Sequence, residues 1–412
     1  MNVARLQTSL PSVTLEEVSE SIVDGPFGSN MKTSDYVEAG VPVLQGKNIT
    51  GNRFVWKEVR YISDEKAREL KRSSTVVGDH LLIKIGSIGY SAILDDLDGH
   101  DFAIIPANLA RIRPDRSVVD DQYLHRVLTS DLVVRHFQKV ASKTAQPALS
   151  LKKIKATEIP LPPLAEQKRI AGILDAADAL RAKRRESLAQ LDTLLQSTFL
   201  DMFGDPVTNP MGWRMEALGN LLDNIDSGWS PKCLDRKALE DEWGVLKLGA
   251  VTWCEFDEAE QKALPQHETP RPDIEVAAGD LLFTRKNTHD LVAAVAYVHR
   301  VRSRLMLPDL IFRLRLKREA KIDPKFLWQL LAQPHQRQSV QQLAGGAAGS
   351  MPNISKAKLK GVHLIKPPLD LQHRFAAIVE SVEQQKASQR AHLEELDTLF
   401  ASLQSRAFQG EL

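Results

Sequence analysis

The sequence predicts an α+β chain in which two globular α/β domains are separated by a pair of long antiparallel coiled-coil helices, in a pseudo-two-fold internal repeat. Three observations predict it. Residues 162–197 (PPLAEQKRIAGILDAADALRAKRRESLAQLDTLLQS) return at 367–402 (PPLDLQHRFAAIVESVEQQKASQRAHLEELDTLFAS) without a gap, 205 residues later, with 15 of 36 positions identical. Both copies carry apolar residues at helical spacing between a Pro-Pro start and a Gly stop. The stretches before each copy share a looser layout of short β-rich runs. Any two amphipathic helices share leucines. That does not explain Pro162-Pro163, the match of Gln167 with Gln372 and Arg169 with Arg374, or the LDTL block at 191–194 and 396–399.

The order of segments is 1–160 globular, 161–205 helix, 206–365 globular and 366–412 helix. In the first segment, strands are expected at 41–44, 54–59, 80–85, 91–94, 102–105 and 110–113, rich in β-branched and aromatic residues and bounded by Gly, Asp, Asn and Pro. Helices are expected at 63–73 and 120–138, the latter with Tyr123, Leu124, Val127, Leu128, Leu132 and Val133 in period. In the first long helix the stripe runs Leu164, Ile170, Leu174, Ala177, Leu180, Leu188, Leu191, Leu195 and Phe199, broken at the basic middle 181–185. At 1.5 Å per residue that helix is roughly 55 Å long, and a helix of that length with one apolar stripe needs a partner helix. Its own copy supplies one, with Ile378, Val382, Leu393, Leu396, Leu399 and Leu403. Pairing and docking positions are therefore placed at Leu164, Gln167, Ile173, Leu188 and Leu191, and at Leu369, Gln372, Ile378, Leu393 and Leu396.

The third segment repeats the first. Gly78-Asp79 is matched by Gly279-Asp280, Pro106 followed by Arg111 and Arg113 by Pro308 followed by Arg313 and Arg315, and Asp120 by Asp323. The helical parts stayed alike while the globular parts diverged.

Composition excludes little. The 412 residues are 43% hydrophobic and 26% charged with a net charge of +1, ordinary for a soluble protein of two or more domains. No run approaches the roughly 18 apolar residues of a membrane span, and no signal peptide opens the chain. Cys233 and Cys254 stand without metal-spaced partners, which fits free thiols in a reducing cytoplasm.

Catalytic motifs are missing. Residues 40–48 (GVPVLQGKN) have five residues between the glycines instead of four, and Asn where a phosphate loop needs Ser or Thr. Neither HExxH, GxSxG, GxGxxG nor an Asn-Pro-Pro-aromatic tetrapeptide occurs. Pro308-Asp309 followed by Glu319 and Lys321 fits the loose PD…ExK pattern of metal-dependent nucleases, but the first half has no such set. What remains are polar and basic loops suited to DNA, because Lys and Arg neutralise phosphates while Asn, Gln and Arg pair with base edges. They are Lys47 and Asn48; Lys84 with Ser87 and Tyr90; and Lys143, Thr144 and Gln146. The second half offers Lys247; Arg285, Lys286, Asn287 and His289; and Ser350 with Asn353 around a glycine-rich stretch expected to order on binding.

Residues 161–170 (LPPLAEQKRI), the long helix, 202–206 (MFGDP) and the ending 405–412 (SRAFQGEL) together resemble the specificity subunits of Type I restriction-modification systems. Residues 24–29 (DGPFGS), 78–82 (GDHLL) and 147–150 (PALS) fall where that family has recurring blocks. Two places depart from it: Leu371 replaces the usual Glu, and 226–231 (DSGWSP) only loosely repeats the block at 24–29. The resemblance implies two target-recognition domains, each reading one half of a bipartite asymmetric site in double-stranded DNA, with the helices setting the spacer. It also implies a non-catalytic cytoplasmic chain with no cofactor or metal of its own. Two modification subunits would bring S-adenosylmethionine, and two motor-nuclease restriction subunits would bring ATP and Mg²⁺. The alternatives are a nuclease built on Asp309, Glu319 and Lys321, and a scaffold that does not touch DNA.

Overall fold

In a computed structural model, which describes residues 10–26, 30–144, 146–345 and 351–412, the chain divides into two compact units. Unit 1 holds residues 1–184 and 392–412, and unit 2 holds residues 185–391. Each long helix is thus shared between the units and is not a segment of its own. The calls at Phe27, Gly28, Ser29 and Ser350, and most of the glycine-rich stretch, lie outside the described residues.

Unit 1 is built on the antiparallel sheet β10-β9-β12-β2, from Ser91–Ile93, His80–Ile83, Leu109–Pro114 and Ser19–Asp24. Leu82 of β9 packs into a core with Tyr123, Leu124 and Phe137, whereas Leu81 and Ile83 pack with Leu44, Leu94 and Ile105. Strand alternation therefore sends neighbouring side chains into two different cores, and residues 81–83 of β9 are all apolar because both faces of the strand are buried. The helical face carries α2 (Asp121–Leu128) and α3 (Asp131–Val140). The other face carries the sheet β3-β7-β4-β11-β8, from Tyr36–Val37, Arg60–Ile62, Val41–Val43, Ala103–Ile104 and Ser74–Thr75. Three smaller pieces complete the unit. These are the hairpin β5-β6 (Ile49–Thr50, Arg53–Phe54), the pair β1-β13 (Ser12–Thr14, Glu158–Pro160), and the short helices α1 (Asp64–Glu69) and α4 (Leu151–Lys155).

Unit 2 has the same plan. Its antiparallel sheet runs β15-β21-β18-β19, from Leu222–Ser227, Ile311–Leu316, Leu281–Thr284 and Val295–Tyr297. One face carries α8 (Pro324–Ala332) and α9 (Pro334–Gln341), and the other the sheet β17-β16-β20 of Gln261–Ala263, Gly244–Leu246 and Leu305–Met306. Leu281 and Phe283 pack toward the helices and Leu282 toward the second sheet. The pair β14-β22 (Met215–Ala217, His363–Ile365) and the helices α6 (Leu218–Leu221), α7 (Gly249–Thr252) and α10 (Lys356–Lys360) complete it. The repeated Gly-Asp and Arg-x-Arg motifs turn out to be partners. Asp79 accepts from the Val76 N–H and grips Arg113 at 2.7 and 2.8 Å, while Asp280 accepts from the Ala277 N–H and from Arg313 at 3.2 Å. Opposite the Pro of each half a glycine is required, since a Cβ at Gly25 would lie 2.2 Å from the Pro106 carbonyl and one at Gly228 1.9 Å from that of Leu307.

The long helices are α5 (Leu164–Phe203) and α11 (Leu369–Gln409). Pro163 and Pro368, directly before the first turn, have no N–H to leave unsatisfied. Three residues into α5 the fully buried Gln167 accepts from the Asp120 N–H (2.9 Å) and donates to the carbonyls of Pro162 (2.8 Å) and Val118 (3.1 Å). Asp120 is itself the N-cap of α2. In unit 2 Gln372 accepts from the N–H of Asp323, the N-cap of α8 (2.9 Å), and donates to Pro367 (2.8 Å). These two glutamines clip each long helix to its own domain. They are not docking residues, because burial keeps them from any partner.

Within each unit the α5 and α11 segments run antiparallel. In unit 1 Arg181 meets Asp397 at 2.5 Å and lies over the Phe400 ring. In unit 2 Lys386 meets Asp192 at 2.6 Å, and Phe199 and Phe203 pack on Phe375. Arg181 and Lys386 are equivalent in the repeat, as are Asp192 and Asp397, which explains the repeated LDTL block. The break expected at the basic middle is wider than 181–185: no residue of α5 between Ala177 and Leu195 is fully buried, and Leu180, Ile378 and Leu399 are exposed. Charge pairing does much of the work that leucines were expected to do. Of the other pairing positions, Leu164, Ile173, Leu188, Leu191, Leu369, Leu393 and Leu396 are half-buried. Among the described residues no helix is long and apolar enough to cross a membrane.

Two local expectations also change. The helix expected at 120–138 is two helices, because Ser130 caps α3 and the Thr129 hydroxyl bonds back to the His125 carbonyl (2.8 Å). The strand expected at 54–59 stops at Phe54, since the carbonyls of Val55 and Lys57 are taken by the Asn48 amide at 3.0 and 2.8 Å.

At the start of β9 the buried His80 lies 6.4 Å from the half-buried His125, both imidazoles with unpartnered nitrogens. Burial, with His80 and Arg126 adding to it, pushes His125 down to about 3.

Two outcomes follow from this packing. Gln167→Ala or Gln372→Ala strands a buried N-cap N–H, and each should cost about 1–3 kcal/mol in chemical denaturation; unfolding at the wild-type midpoint would refute the clip. Because His125 titrates lower when folded than its ordinary 6.5, its contribution is complete above that value and is lost as pH falls below it, by about 1.4 kcal/mol per pH unit. The urea midpoint should drop between pH 7 and pH 5, and less so in His125→Asn.

Candidate nucleic-acid interface

In unit 1 the turn after β4, the β5-β6 hairpin, the start of β7, the β9-β10 loop and the residues before β12 enclose a cleft of about 740 Å³. Its polar lining is Tyr36, Gln45, Lys47, Thr50, Arg60, Ser87, Tyr90 and Asn108, with two cations and no carboxylate. Lys47 is exposed and holds Glu58 at 2.6 Å, keeping that carboxyl below its usual range; an exposed pair of this kind exchanges readily for another anion. The Arg60 guanidinium rests 5.1 Å over the Tyr36 ring, with no acid paired to it among the described residues. Tyr90 is half exposed. Gly46 lets the wall close up, since a Cβ there would stand 2.9 Å from Asn108 Nδ2.

The structure thus brings together Lys47, Ser87 and Tyr90, and it moves other candidates away. Asn48 is fully buried; its Oδ1 accepts from the Gln45 N–H (2.8 Å) and its amide holds the 55–57 loop. It shapes the turn and cannot reach a base. Lys84 is buried against Asp24 at 2.8 Å, so its charge is spent inside the domain. Lys143, Thr144 and Gln146 are exposed but outside the cleft, Thr144 donating to the Gln146 carbonyl (2.8 Å). Sequence reasoning missed Tyr36, Gln45, Thr50, Arg60 and Asn108. Only Asn108 carried a signal, its place two residues after the repeated Pro106.

Unit 2 places different chemistry on the same backbone. Asn52 of the β5-β6 hairpin and Cys254 of the turn after α7, both left-handed at φ 60° and 61°, set the register between the two at an offset of 202 residues. On that register Lys247 takes the place of Gln45, and Trp253, 75% exposed, that of Gly51. The carbonyls of Asn108 and Leu310 accept from the N–H groups of Lys84 and Arg285, so Leu310 stands where Asn108 does. Lys247 is exposed and pairs with Glu260 at 2.7 Å. Arg285 is half-buried, bonded to Asn353 (3.1 Å) and lying over Phe312, and Lys286 bridges Asn353 through the backbone. Asn287 is buried, its Oδ1 accepting from the Thr288 N–H (2.8 Å), and does not offer itself to a ligand. His289 is exposed beside Asp290 at 3.6 Å.

The nuclease alternative fails on geometry. Asp309 precedes β21, its N–H bonded to Ser230 Oγ (3.1 Å), whereas Glu319 and Lys321 follow that strand. Six residues of strand separate them by about 20 Å, too far to share a metal. Among the described residues no group of three or more His, Cys, Asp or Glu side chains could hold a metal ion.

On the helices, the equivalent residues Leu194 and Leu399 are 48% and 49% exposed, each in its own unit. Ile378 is 36% exposed and its equivalent Ile173 half-buried.

Comparison with known proteins was made against this geometry. Residues 13–191 match the family model described as the Type I restriction modification DNA specificity domain. The chain is 35% identical over 176 residues to the Type I restriction enzyme EcoEI specificity subunit of Escherichia coli, covering 42% of this chain but only 30% of that one. It is 20% identical to the putative MjaX specificity subunit of Methanocaldococcus jannaschii, covering 97% and 92%. To the EcoKI specificity subunit of Escherichia coli it is 24% identical, covering 93% and 84%. Among solved structures, a chain from a study of complex assembly in the type I R-M system superposes with a TM-score of 0.54 at 19% identity, covering 98% and 100%. The S subunit of a Type I system from M. genitalium superposes with a TM-score of 0.53 at 14% identity, covering 99% and 98%. These two share the fold.

Proposed function

We propose that the chain is a specificity subunit of a Type I restriction-modification system, recognising DNA for an assembled enzyme and leaving the chemistry to its partners. Each unit reads one half of a bipartite asymmetric site in double-stranded DNA. The observation that carries this reading is the unit 1 cleft, where Lys47 and Arg60 meet Ser87, Tyr90 and Asn108 without a carboxylate. Cations neutralise phosphates and hold the register, while neutral donors and acceptors in the same hollow can meet base edges. Divergence at the equivalent backbone positions of unit 2, where Lys247 and Trp253 stand, supports two different half-sites and hence asymmetry.

The repeat supports two copies of one partner. Leu194 and Leu399 are exposed apolar residues at matching places on the two helices, as are Ile173 and Ile378 to a lesser degree. Two modification subunits carrying S-adenosylmethionine dock there, and two motor-nuclease restriction subunits carrying ATP and Mg²⁺ join the complex. No cofactor belongs to this chain.

Co-expression with its modification subunits in a methylation-free host, followed by mapping of modified adenines, should give a two-part asymmetric motif; random or absent modification would refute the reading. Arg60→Ala should weaken DNA binding by the complex on all sequences alike and lower the slope of log K against log salt by about one. The slope should not change in Lys84→Met, whose charge is already spent on Asp24. Leu194→Asp and Leu399→Asp should each cost the complex one modification subunit, read by mass measurement, and the double variant both. Retention of two subunits by the double variant would place docking elsewhere.

A further inference from the structure

The wall of the unit 1 cleft carries two carboxamides, one on each side of Gly46. Gln45 precedes that glycine, and its Nε2 is buried with no hydrogen-bond partner. Asn108 lies across it, with Nδ2 so near that a methyl on Gly46 would come within 2.9 Å. The Asn108 carbonyl is occupied by the Lys84 N–H (2.9 Å), but among the described residues its side-chain amide makes no hydrogen bond. Both amides lie in a hollow with no carboxylate, beside an arginine laid on Tyr36 and a lysine held by Glu58.

A carboxamide presents one donor and one acceptor side by side in a plane. In the major groove that pattern is complementary to adenine, which shows the N6 donor beside the N7 acceptor; guanine shows two acceptors and calls for a cation. We infer that Asn108, flanked by Gln45, reads an adenine in the half-site of unit 1, and that this adenine is not the modified base. The inference rests on the DNA-recognition role proposed above. It is confined to the first half of the chain, because Leu310 and Lys247 occupy the equivalent positions in unit 2 and supply no carboxamide.

The experiment uses the full chain assembled with its modification subunits and duplexes carrying the mapped site. The half-site of unit 1 is the one left unchanged when residues 206–365 are exchanged for those of a relative. Each adenine in it is replaced in turn by 7-deazaadenine, which keeps the Watson–Crick pair and removes N7. At one unmodified position the wild type should lose about tenfold in affinity, the worth of one bidentate base contact. Asn108→Ala should bind the natural duplex about tenfold more weakly and be indifferent to the analogue at that position. Gly46→Ala, which displaces the Asn108 amide without removing it or changing charge, should lose discrimination at the same position, and it decides the matter if Asn108→Ala unfolds. An Asn108→Ala complex that keeps the wild-type response to the analogue, or that weakens equally on every sequence, overturns the inference while leaving the recognition role intact. A wild-type complex with no preferred sequence removes that role, and this inference with it.

Discussion

Two buried glutamine carboxamides hold the architecture together. At the start of each long helix, Gln167 or Gln372 accepts the backbone N–H of the residue that caps a domain helix and returns its own N–H groups to the proline carbonyl before the turn. The interaction needs a side chain that accepts and donates at once, of this length, three residues into a helix opened by prolines. An acid in that place could not donate, and a lysine could not accept. A buried N–H left without an acceptor is expensive. The direction in which each long helix leaves its domain is therefore tied to the first turn of α2 or α8. That constraint explains why Pro-Pro-Leu and Gln recur in both halves of a chain whose domains otherwise drifted apart.

Much of this was legible in the sequence for physical reasons. The repeat shows because helix ends are specified by small, position-dependent residue sets. The strands β9 and β18 show because burial on both faces favours three consecutive apolar residues in each, 81–83 and 281–283. The break between α2 and α3 did not show, because Ser130 interrupts the chain without disturbing the apolar period.

The site was the least legible part. Gln45, Arg60, Ser87 and Asn108 come from four separate stretches of chain and meet only once two sheets have stacked. Residue type alone also misleads. Asn48, Lys84 and Asn287 have the side chains of DNA-contacting residues, yet each has its hydrogen-bonding or charge satisfied within its domain. Whether a polar group is already satisfied is a property of the folded domain and leaves no mark in spacing.

The β5-β6 hairpin of unit 1 and the turn after α7 in unit 2 show how the domains could diverge while the helices did not. Arg53 and Glu255 are equivalent residues of opposite charge, each reaching the long helix of its own unit. Arg53 meets Asp178 at 3.6 Å, while Glu255 pairs with Lys386 and lies 2.6 Å from Arg390. The helix turn that receives them is the same in both copies, an acid followed three residues later by a base: Asp178 and Arg181 in one, Glu383 and Lys386 in the other. Such a turn can seat a tip of either sign: Asp178 answers Arg53 while Arg181 is held by Asp397 of the facing helix, and Lys386 answers Glu255 while itself held by Asp192. Burial opposes the charge on Lys386, yet Glu383 and Glu255 more than offset it and hold the amine above its ordinary range. A helix surface with both signs in one turn does not dictate the charge of the domain it carries. Selection on the reading loops could then reverse a tip residue without requiring any change in the helix beneath.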